Sequence, residues 1–169
     1  MRIYGITGWK NSGKTGLMVR LVEEITARGF TVSTVKHTHH SFDIDHPGKD
    51  SYRHRQAGAD LVLVGSRRRW ALMTELRDGK EPPLSAHLAR LQAVDLVLVE
   101  GLKHERHPKV EAFRAETGKP LIAADDPLIR LVAADGPIDA SVPVVDLDDT
   151  VAVADFILRD VGLVAADTP

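Results

Sequence analysis

The chain has 169 residues, no cysteine and a formal net charge of -2 at pH 7. Its length and its 43% hydrophobic content predict one compact domain over residues 1–169, with a flexible tail after about residue 162. The charge disfavours nucleic acid as a partner, the lack of cysteine excludes disulfides and thiolate metal sites, and no segment is typical of a membrane span or a signal peptide. We therefore expect a cytoplasmic protein that binds neither nucleic acid nor a membrane.

The N-terminal residues combine a short strand, a glycine-rich turn and a helix. Residues 2–7 form an apolar run, and apolar side chains recur at helical spacing over residues 17–25 until Gly29 ends the pattern. Between them the chain matches G-x-x-x-x-G-K-[ST] without a mismatch, in the residues Gly8, Trp9, Lys10, Asn11, Ser12, Gly13, Lys14 and Thr15. This P-loop, with its strand and its helix, predicts a nucleotide-binding protein, and a triphosphate fits it best.

The residue types of the P-loop suit a polyphosphate. Backbone N–H groups of a glycine-rich turn approach the phosphates closely, and the following helix points its positive dipole end at them. We expect Lys14 to contact the β- and γ-phosphates and the Thr15 hydroxyl to bind Mg²⁺. Lys10 invites comparison with the signature lysine of the deviant P-loop ATPases, which directly follows the first glycine, but here Trp9 occupies that position.

A polar stretch follows the second predicted strand, residues 31–37, and leads into a predicted helix over residues 49–57. Residues 36–55 hold five of the eight histidines, yet no cysteine and little regular structure, which fits a structural zinc site poorly. We predict that Asp43 and Asp45 act beside the γ-phosphate, as catalytic carboxylates that orient water, with Asp45 also a Mg²⁺ ligand. Phosphates of a second ligand could meet Lys49, Arg53 and Arg55. A solvated polar loop and a zinc site remain alternatives.

An inserted β-hairpin is the next predicted element. Residues 59–64 and 70–74 favour strands and flank a basic turn, Arg67 to Arg69, which fits either a solvated loop or a phosphate site. Because an inserted hairpin exposes strand edges, we expect a homodimer with the hairpin in or near its interface.

Glu100 is the predicted partner of the P-loop across the nucleotide site. Leu84, Leu88, Leu91 and Val94 indicate one face of a helix, and residues 95–100 then form an apolar run typical of a strand buried in a parallel sheet. Glu100 closes that run, where P-loop proteins place an acid on the Mg²⁺ side, so we predict a catalytic and metal-binding carboxylate there. A structural strand-end acid is the alternative. Asp95 lies about 16 Å away, at the wrong end of the strand.

The remaining elements complete an alternating pattern. Residues 129–134 and 142–145 favour strands, residues 149–161 favour a closing helix with Asp149 as its cap, and residues 108–117 fit helix or strand. The pattern predicts an α/β fold of the P-loop NTPase class, a mostly parallel sheet flanked by helices, with the hairpin inserted into it.

Several stretches together resemble the family of molybdopterin-guanine dinucleotide biosynthesis protein B, MobB. They are the P-loop and residues 36–51, 55–58, 70–75 and 99–105, within a resemblance that covers most of residues 1–150. The P-loop is shared by many NTPases, whereas the histidine-rich stretch and the Glu-Gly-aromatic-Lys stretch are specific to this family. Leu102 stands here where that stretch has an aromatic residue.

The resemblance implies a homodimeric GTP-binding protein with weak GTPase activity, whose cofactors are GTP and Mg²⁺. It implies a role beside a MobA-like molybdopterin guanylyltransferase, which attaches GMP to molybdopterin, and makes molybdopterin itself a further candidate ligand. It also favours a strand over residues 109–114 and makes Asp135 a candidate for the guanine edge, although the chain lacks N-K-x-D. A P-loop small-molecule kinase or ATP-dependent ligase and a metal-binding chaperone are the alternatives from the residues alone.

Overall fold

The structure is a computed structural model that describes residues 1–38, 42–77 and 79–165. It contains two compact units, a larger one of Met1–His37 with Arg90–Pro169 and a smaller one of Thr38–Ala89. The expectation of a single domain stays a prediction. The helices and strands in chain order are β1 (Arg2–Thr7), α1 (Lys14–Ala27), β2 (Val32–Lys36), α2 (Asp50–Gln56), β3 (Leu61–Gly65), β4 (Trp70–Thr74), α3 (Leu84–Leu88), β5 (Leu96–Glu100), β6 (Lys109–Phe113), β7 (Ile129–Ala134), β8 (Val144–Asp146) and α4 (Thr150–Asp160).

The larger unit is built on a parallel six-stranded sheet in the order β2-β5-β1-β6-β7-β8. β5 lies between β1 and β2, which explains why all five of its residues are buried and why the first four are apolar. The apolar stripe of α1 and that of α4 pack on one face of the sheet, where Tyr4, Ile6 and Leu98 contribute to the core. The predicted α/β fold with a mostly parallel sheet is confirmed.

On the other face, two buried charged residues of β6 hold the segment that follows this strand. The Glu111 carboxylate accepts hydrogen bonds from the N–H groups of Ile122 and Ala123, at 2.9 and 2.8 Å. Lys109 forms an ion pair with Asp126 at 3.1 Å. Burial raises the pKa of the Glu111 carboxyl, and the two backbone hydrogen bonds oppose that rise. These bonds attach the segment, which contains 3₁₀ helices at Ala115–Thr117 and Ile122–Ala124, to the sheet.

The smaller unit contains the predicted hairpin. Its strands β3 and β4 pair antiparallel, with Leu63 opposite Leu72, and the preceding helix α2 packs against β3. No helix of the described chain is long and apolar enough to cross a membrane.

The structure corrects the predicted helix that begins at Leu84. α3 ends at Leu88, so Leu91 and Val94 lie outside it. Apolar spacing misled the prediction, because a turn after a short helix can keep the same spacing that a longer helix would show. The last strand is also shifted, since β8 begins at residue 144 rather than 142. The ambiguous segment 108–117 forms the strand β6 over Lys109–Phe113 and a 3₁₀ helix over Ala115–Thr117.

His107 is a buried titratable residue that the sequence did not indicate. It is 6% exposed, and neither ring nitrogen has a hydrogen-bond partner among the described residues. Its Nε2 lies 2.6 Å from the position that a Cβ at Gly5 would take, so the ring fills the space that the glycine leaves. Burial, together with the charge of Lys109, lowers the pKa of His107 from 6.5 to about 4.

We expect the free energy of unfolding to fall as the pH is lowered from 6.5 to about 4. Over this range the unfolded chain protonates His107 while the folded protein keeps the ring neutral, so protons stabilise the unfolded state. The difference between the two pKa values corresponds to about 3 kcal/mol. Urea titrations at several pH values should show the His107→Leu variant gaining stability relative to the parent protein as the pH falls. A stability difference that does not change with pH would contradict this role of His107.

Candidate functional site

The P-loop lies at the carboxyl edge of the sheet, between the end of β1 and the start of α1. Gly13 has φ 91 and caps α1, and Gly8 has φ 142, so both are in the region that favours glycine. A Cβ at Gly8 would overlap the carbonyl oxygen of Ala112 and the Ser12 hydroxyl. The close approach of loop and strand therefore requires glycine at this position.

The loop also contains a buried polar atom without a partner. The Ser12 hydroxyl has no hydrogen-bond partner among the described residues, although burial without one is costly. A phosphate in the loop would supply an acceptor for it. The glycine-lined turn, the unpaired hydroxyl and the N-terminus of α1 together fit a polyphosphate.

Glu100 contacts two groups that the sequence places far apart. Its Oε1 accepts hydrogen bonds from the Thr15 hydroxyl at 3.0 Å and from the Lys36 ammonium at 3.1 Å. Strand register explains the arrangement, because Ile6 of β1 and Lys36 of β2 are both level with Glu100 of β5. Glu100 is 9% exposed, so its charge is poorly screened by water. The structure thus brings together Thr15 and Glu100, two of the residues predicted to hold Mg²⁺, while their metal-binding role stays a prediction.

Lys14 and Lys36 both interact with Glu100, and a third lysine, Lys103, interacts electrostatically with Lys14 and with Glu111. Lys14 donates a hydrogen bond to the Trp9 carbonyl oxygen at 2.5 Å. Burial lowers the pKa of Lys14, the charges of Lys103 and Lys36 lower it further, and Glu100 opposes them. Mutual repulsion among the ammonium groups would be relieved by a bound anion.

Trp9 joins the P-loop to two other segments. Lys103 places its ammonium 4.0 Å from the centroid of the Trp9 ring, a cation–π contact. The indole N–H donates to the Pro120 carbonyl oxygen at 2.7 Å. A cleft of about 370 Å³ opens beside the ring, lined by Trp9, Lys10, Asn11, Glu116, Thr117 and Lys119. The sequence reasoning identified only the P-loop wall of this cleft.

Arg114 is a further residue that sequence reasoning missed at this edge. It directly follows β6, and its Nε lies 3.3 Å from the position that a Cβ at Gly13 would take. That Nε is buried without a partner among the described residues, while the guanidinium forms a long ion pair with Glu116 at 3.7 Å. A single arginine after a strand carries no motif that could have revealed it.

Asp135 lies directly after β7, so it is at the carboxyl edge of the same sheet. One oxygen of its carboxylate accepts a hydrogen bond from the Ala115 N–H at 3.1 Å. The side chain is exposed. Its contact with a guanine base stays a prediction.

In the smaller unit, Asp43 and Asp45 form part of a cluster around Arg55. The guanidinium lies 2.9 Å from Asp43, 3.4 Å from Asp45 and 2.8 Å from Glu75. The Arg55 and Asp45 side chains are only 10% and 8% exposed, and Asp45 also accepts a hydrogen bond from Ser51. This geometry favours a structural role for both aspartates. Their predicted catalytic and metal roles stay predictions, and Arg55 is a poor candidate for binding a second ligand.

The alternative of a zinc site and the predicted phosphate contacts of Lys49 and Arg53 concern the same stretch. His39 and His40 lie outside the described residues, and among those that are described no group of three or more histidine, aspartate or glutamate side chains is arranged to hold a metal ion. Lys49 and His54 line an open cleft of about 530 Å³ between α2 and β3. Arg53 is exposed, as are Arg67, Arg68 and Arg69 of the hairpin turn.

Comparison with known proteins identifies relatives over nearly the whole chain. The family model of molybdopterin guanine dinucleotide synthesis protein B matches residues 3–135. The chain is 40% identical over 160 residues to the molybdopterin-guanine dinucleotide biosynthesis adapter protein of Escherichia coli (strain K12), which covers 93% of this chain and 91% of that protein. The protein of the same name from Haemophilus influenzae is 39% identical over 155 residues, 92% of this chain and 86% of the relative.

Solved structures agree with the fold. A MobB homolog from Bacillus stearothermophilus superposes with a TM-score of 0.70 at 29% identity, over 97% of this chain and 100% of that one. A crystal structure of molybdopterin-guanine biosynthesis protein B has a TM-score of 0.75 over 95% of this chain and 99% of its own, and at 24% identity it bears on the fold alone. The match over residues 3–135 and the 40% identity to a relative of similar length show that the chain belongs to the molybdopterin guanine dinucleotide synthesis protein B family.

Proposed function

We propose that this protein binds GTP with Mg²⁺ at its P-loop and acts as an adapter in molybdenum cofactor biosynthesis. Its partner in this proposal is a MobA-like guanylyltransferase that attaches GMP to molybdopterin, and molybdopterin itself is a further candidate ligand. The observation that carries the proposal is the P-loop whose Thr15 and Lys14 lie beside the nearly buried Glu100 carboxylate, in a chain whose relatives are named as adapter proteins. A cytoplasmic location belongs to the same proposal.

Different residues at the sheet edge would hold the phosphates, the Mg²⁺ ion and the guanine base. The backbone N–H groups of the P-loop and the ammonium of Lys14 would hold the phosphates. The Thr15 hydroxyl and the Glu100 carboxylate, already 3.0 Å apart, would hold Mg²⁺, which neutralises phosphate charge when it is bound. Asp135 would accept hydrogen bonds from N1–H and N2–H of guanine, donors that adenine lacks.

Slow hydrolysis is consistent with this arrangement. Glu100 accepts hydrogen bonds from Thr15 and Lys36, which suits a metal-holding carboxylate better than a general base. Asp43 and Asp45 would orient water only if Arg55 released them. We therefore assign the signal to the partner enzyme to the GTP-bound state of the adapter, and not to rapid hydrolysis of GTP.

Replacing Lys14 with alanine should weaken GTP binding by about 100-fold or more, because charge-assisted bonds to the phosphates are lost. Calorimetry with Mg²⁺ present should also show tighter binding of GTP than of ATP to the parent protein. Arg130→Ala removes a positive charge at the amino end of β7, away from the P-loop, and serves as the charge-matched control. Unchanged GTP affinity in the Lys14 variant would contradict the assignment of the nucleotide site.

The adapter role predicts a faster or more complete attachment of GMP to molybdopterin when this protein is added to the guanylyltransferase with GTP. The Lys14→Ala variant should lose most of that stimulation, since it lacks the nucleotide-bound state. Chromatographic quantification of the guanine dinucleotide product measures both. A product yield that is the same with and without this protein would contradict the adapter role.

A homodimer is also part of the proposal, and the hairpin supports it. Within the described chain β3 and β4 pair only with each other, so both have an unpaired edge. The strand register places four exposed apolar side chains on one face of the hairpin, namely Leu61, Leu63, Trp70 and Leu72. A second copy of the chain is the partner that we assign to this face.

Sedimentation at micromolar concentration should therefore show a dimer, and the Leu63→Glu, Leu72→Glu double variant should sediment as a monomer, because it places charge in the centre of the contact. Val151→Glu changes a valine of similar exposure on α4 and should leave the dimer intact. A monomeric parent protein, or a double variant that remains dimeric, would contradict the hairpin interface.

A further inference from the structure

We propose that Lys103 binds the terminal phosphate of the nucleotide, and that the Trp9 ring holds this lysine when no nucleotide is bound. Lys103 would then distinguish a triphosphate from a diphosphate. The inference rests on the proposed function, since it requires a nucleotide at the P-loop.

The position of Lys103 relative to Lys14 is the first observation. Both ammonium groups contact the same residue, since Lys14 donates to the Trp9 carbonyl oxygen at 2.5 Å and Lys103 lies 4.0 Å from the centroid of the Trp9 ring. The P-loop lysine reaches the β- and γ-phosphates in nucleotide complexes. A second ammonium held on the same P-loop residue is therefore a candidate for the same end of the triphosphate. The electrostatic effect of Lys103 on Lys14 agrees with this proximity.

The backbone after β5 directs Lys103 toward the P-loop. Gly101 has φ 92 and Leu102 has φ 49, so two successive residues adopt the left-handed region. This conformation is uncommon for leucine and is retained where the surrounding structure determines it. The turn is packed closely, because a Cβ at Gly101 would lie 3.3 Å from the His37 carbonyl oxygen. Lys103 is thus held three residues beyond Glu100, the carboxylate on the metal side.

Lys103 differs from its neighbour Lys36 in what balances its charge. Lys36 forms an ion pair with Glu100 at 3.1 Å. Within the described residues no carboxylate forms an ion pair with Lys103: Glu111 acts on it only through its charge, and its contact partner is the aromatic face of Trp9. A cation–π contact is weaker than a charge-assisted bond to phosphate. A γ-phosphate should therefore draw Lys103 from the ring, while the hydrogen bond to Pro120 keeps the indole in place.

A purely structural role for Lys103 makes a different prediction. If the lysine only holds the 101–107 loop against Trp9, its removal should weaken GTP and GDP binding equally. If it binds the terminal phosphate, removal should affect GTP selectively. The ratio of the two affinities separates the roles.

Calorimetry with GTP and with GDP, each with Mg²⁺, tests this ratio in the full chain. We expect Lys103→Gln to weaken GTP binding by about tenfold or more and GDP binding by less than about threefold, and Lys103→Arg to restore most of the GTP affinity. Arg130→Gln, which removes a positive charge at the opposite end of the sheet, should change neither affinity. Equal losses for both nucleotides, or no loss, would overturn the inference. A parent protein that binds neither nucleotide would instead overturn the proposed function.

Tryptophan fluorescence provides a second measurement. The chain has two tryptophans, so Trp70→Phe leaves Trp9 as the single indole. Removal of a cation from the face of Trp9 should change its emission when GTP is added and not when GDP is added, and Lys103→Gln should abolish the difference. The same emission change with both nucleotides, or a GTP-specific change that persists in Lys103→Gln, would overturn the inference.

Discussion

One carboxylate oxygen of Glu100 connects three separate parts of the sheet edge. It accepts hydrogen bonds from Thr15 at the start of α1 and from Lys36 at the end of β2. The contacts are possible because β1 and β2 flank β5 in parallel register, so that their carboxyl ends lie at the same level. A nearly buried carboxylate without these donors would be costly. The site is therefore preassembled by the sheet, and the P-loop lysine is positioned beside it.

Buried charge plays a second, structural role in β6. Lys109 and Glu111 point away from the apolar core formed with α1 and α4, and they bind Asp126 and the backbone of residues 122 and 123. Charges at these positions are tolerated because each has a partner. Their effect is to hold the segment that follows β6 against the sheet, and this segment supplies Glu116, Thr117 and Lys119 of the cleft beside Trp9. Lys109 and Glu111 thus hold in place the segment that lines one side of this cleft, although neither residue lines the cleft itself.

The smaller unit uses its charges differently. Arg55 contacts Asp43, Asp45 and Glu75, with Asp45 almost fully buried. A guanidinium can bind several carboxylates because its donors form a planar fork. In the sequence these acids and bases are interleaved, which is also what a magnesium and phosphate site would require. The same pattern is thus compatible with a salt-bridge cluster or a catalytic loop, and only the contacts between the side chains separate the two.

What the sequence by itself determined are the features that depend on neighbouring residues. The P-loop follows from eight consecutive positions between a strand and a helix, and the burial of β5 follows from its continuous apolar run. The resemblance to the MobB family was likewise carried by short stretches, and the comparisons confirm it. The end of α3 was predicted wrongly because the apolar spacing continues past the turn at which the helix stops.

The tertiary structure alone decided which distant residues meet. It places Lys103 on the ring of Trp9, Arg114 against Gly13, and His107 in the space beside Gly5. None of these pairs has a fixed spacing along the chain, because each joins residues of different strands or of the loops beside them. Their contacts follow from strand order and register, which the packing of the whole sheet sets rather than any local pattern.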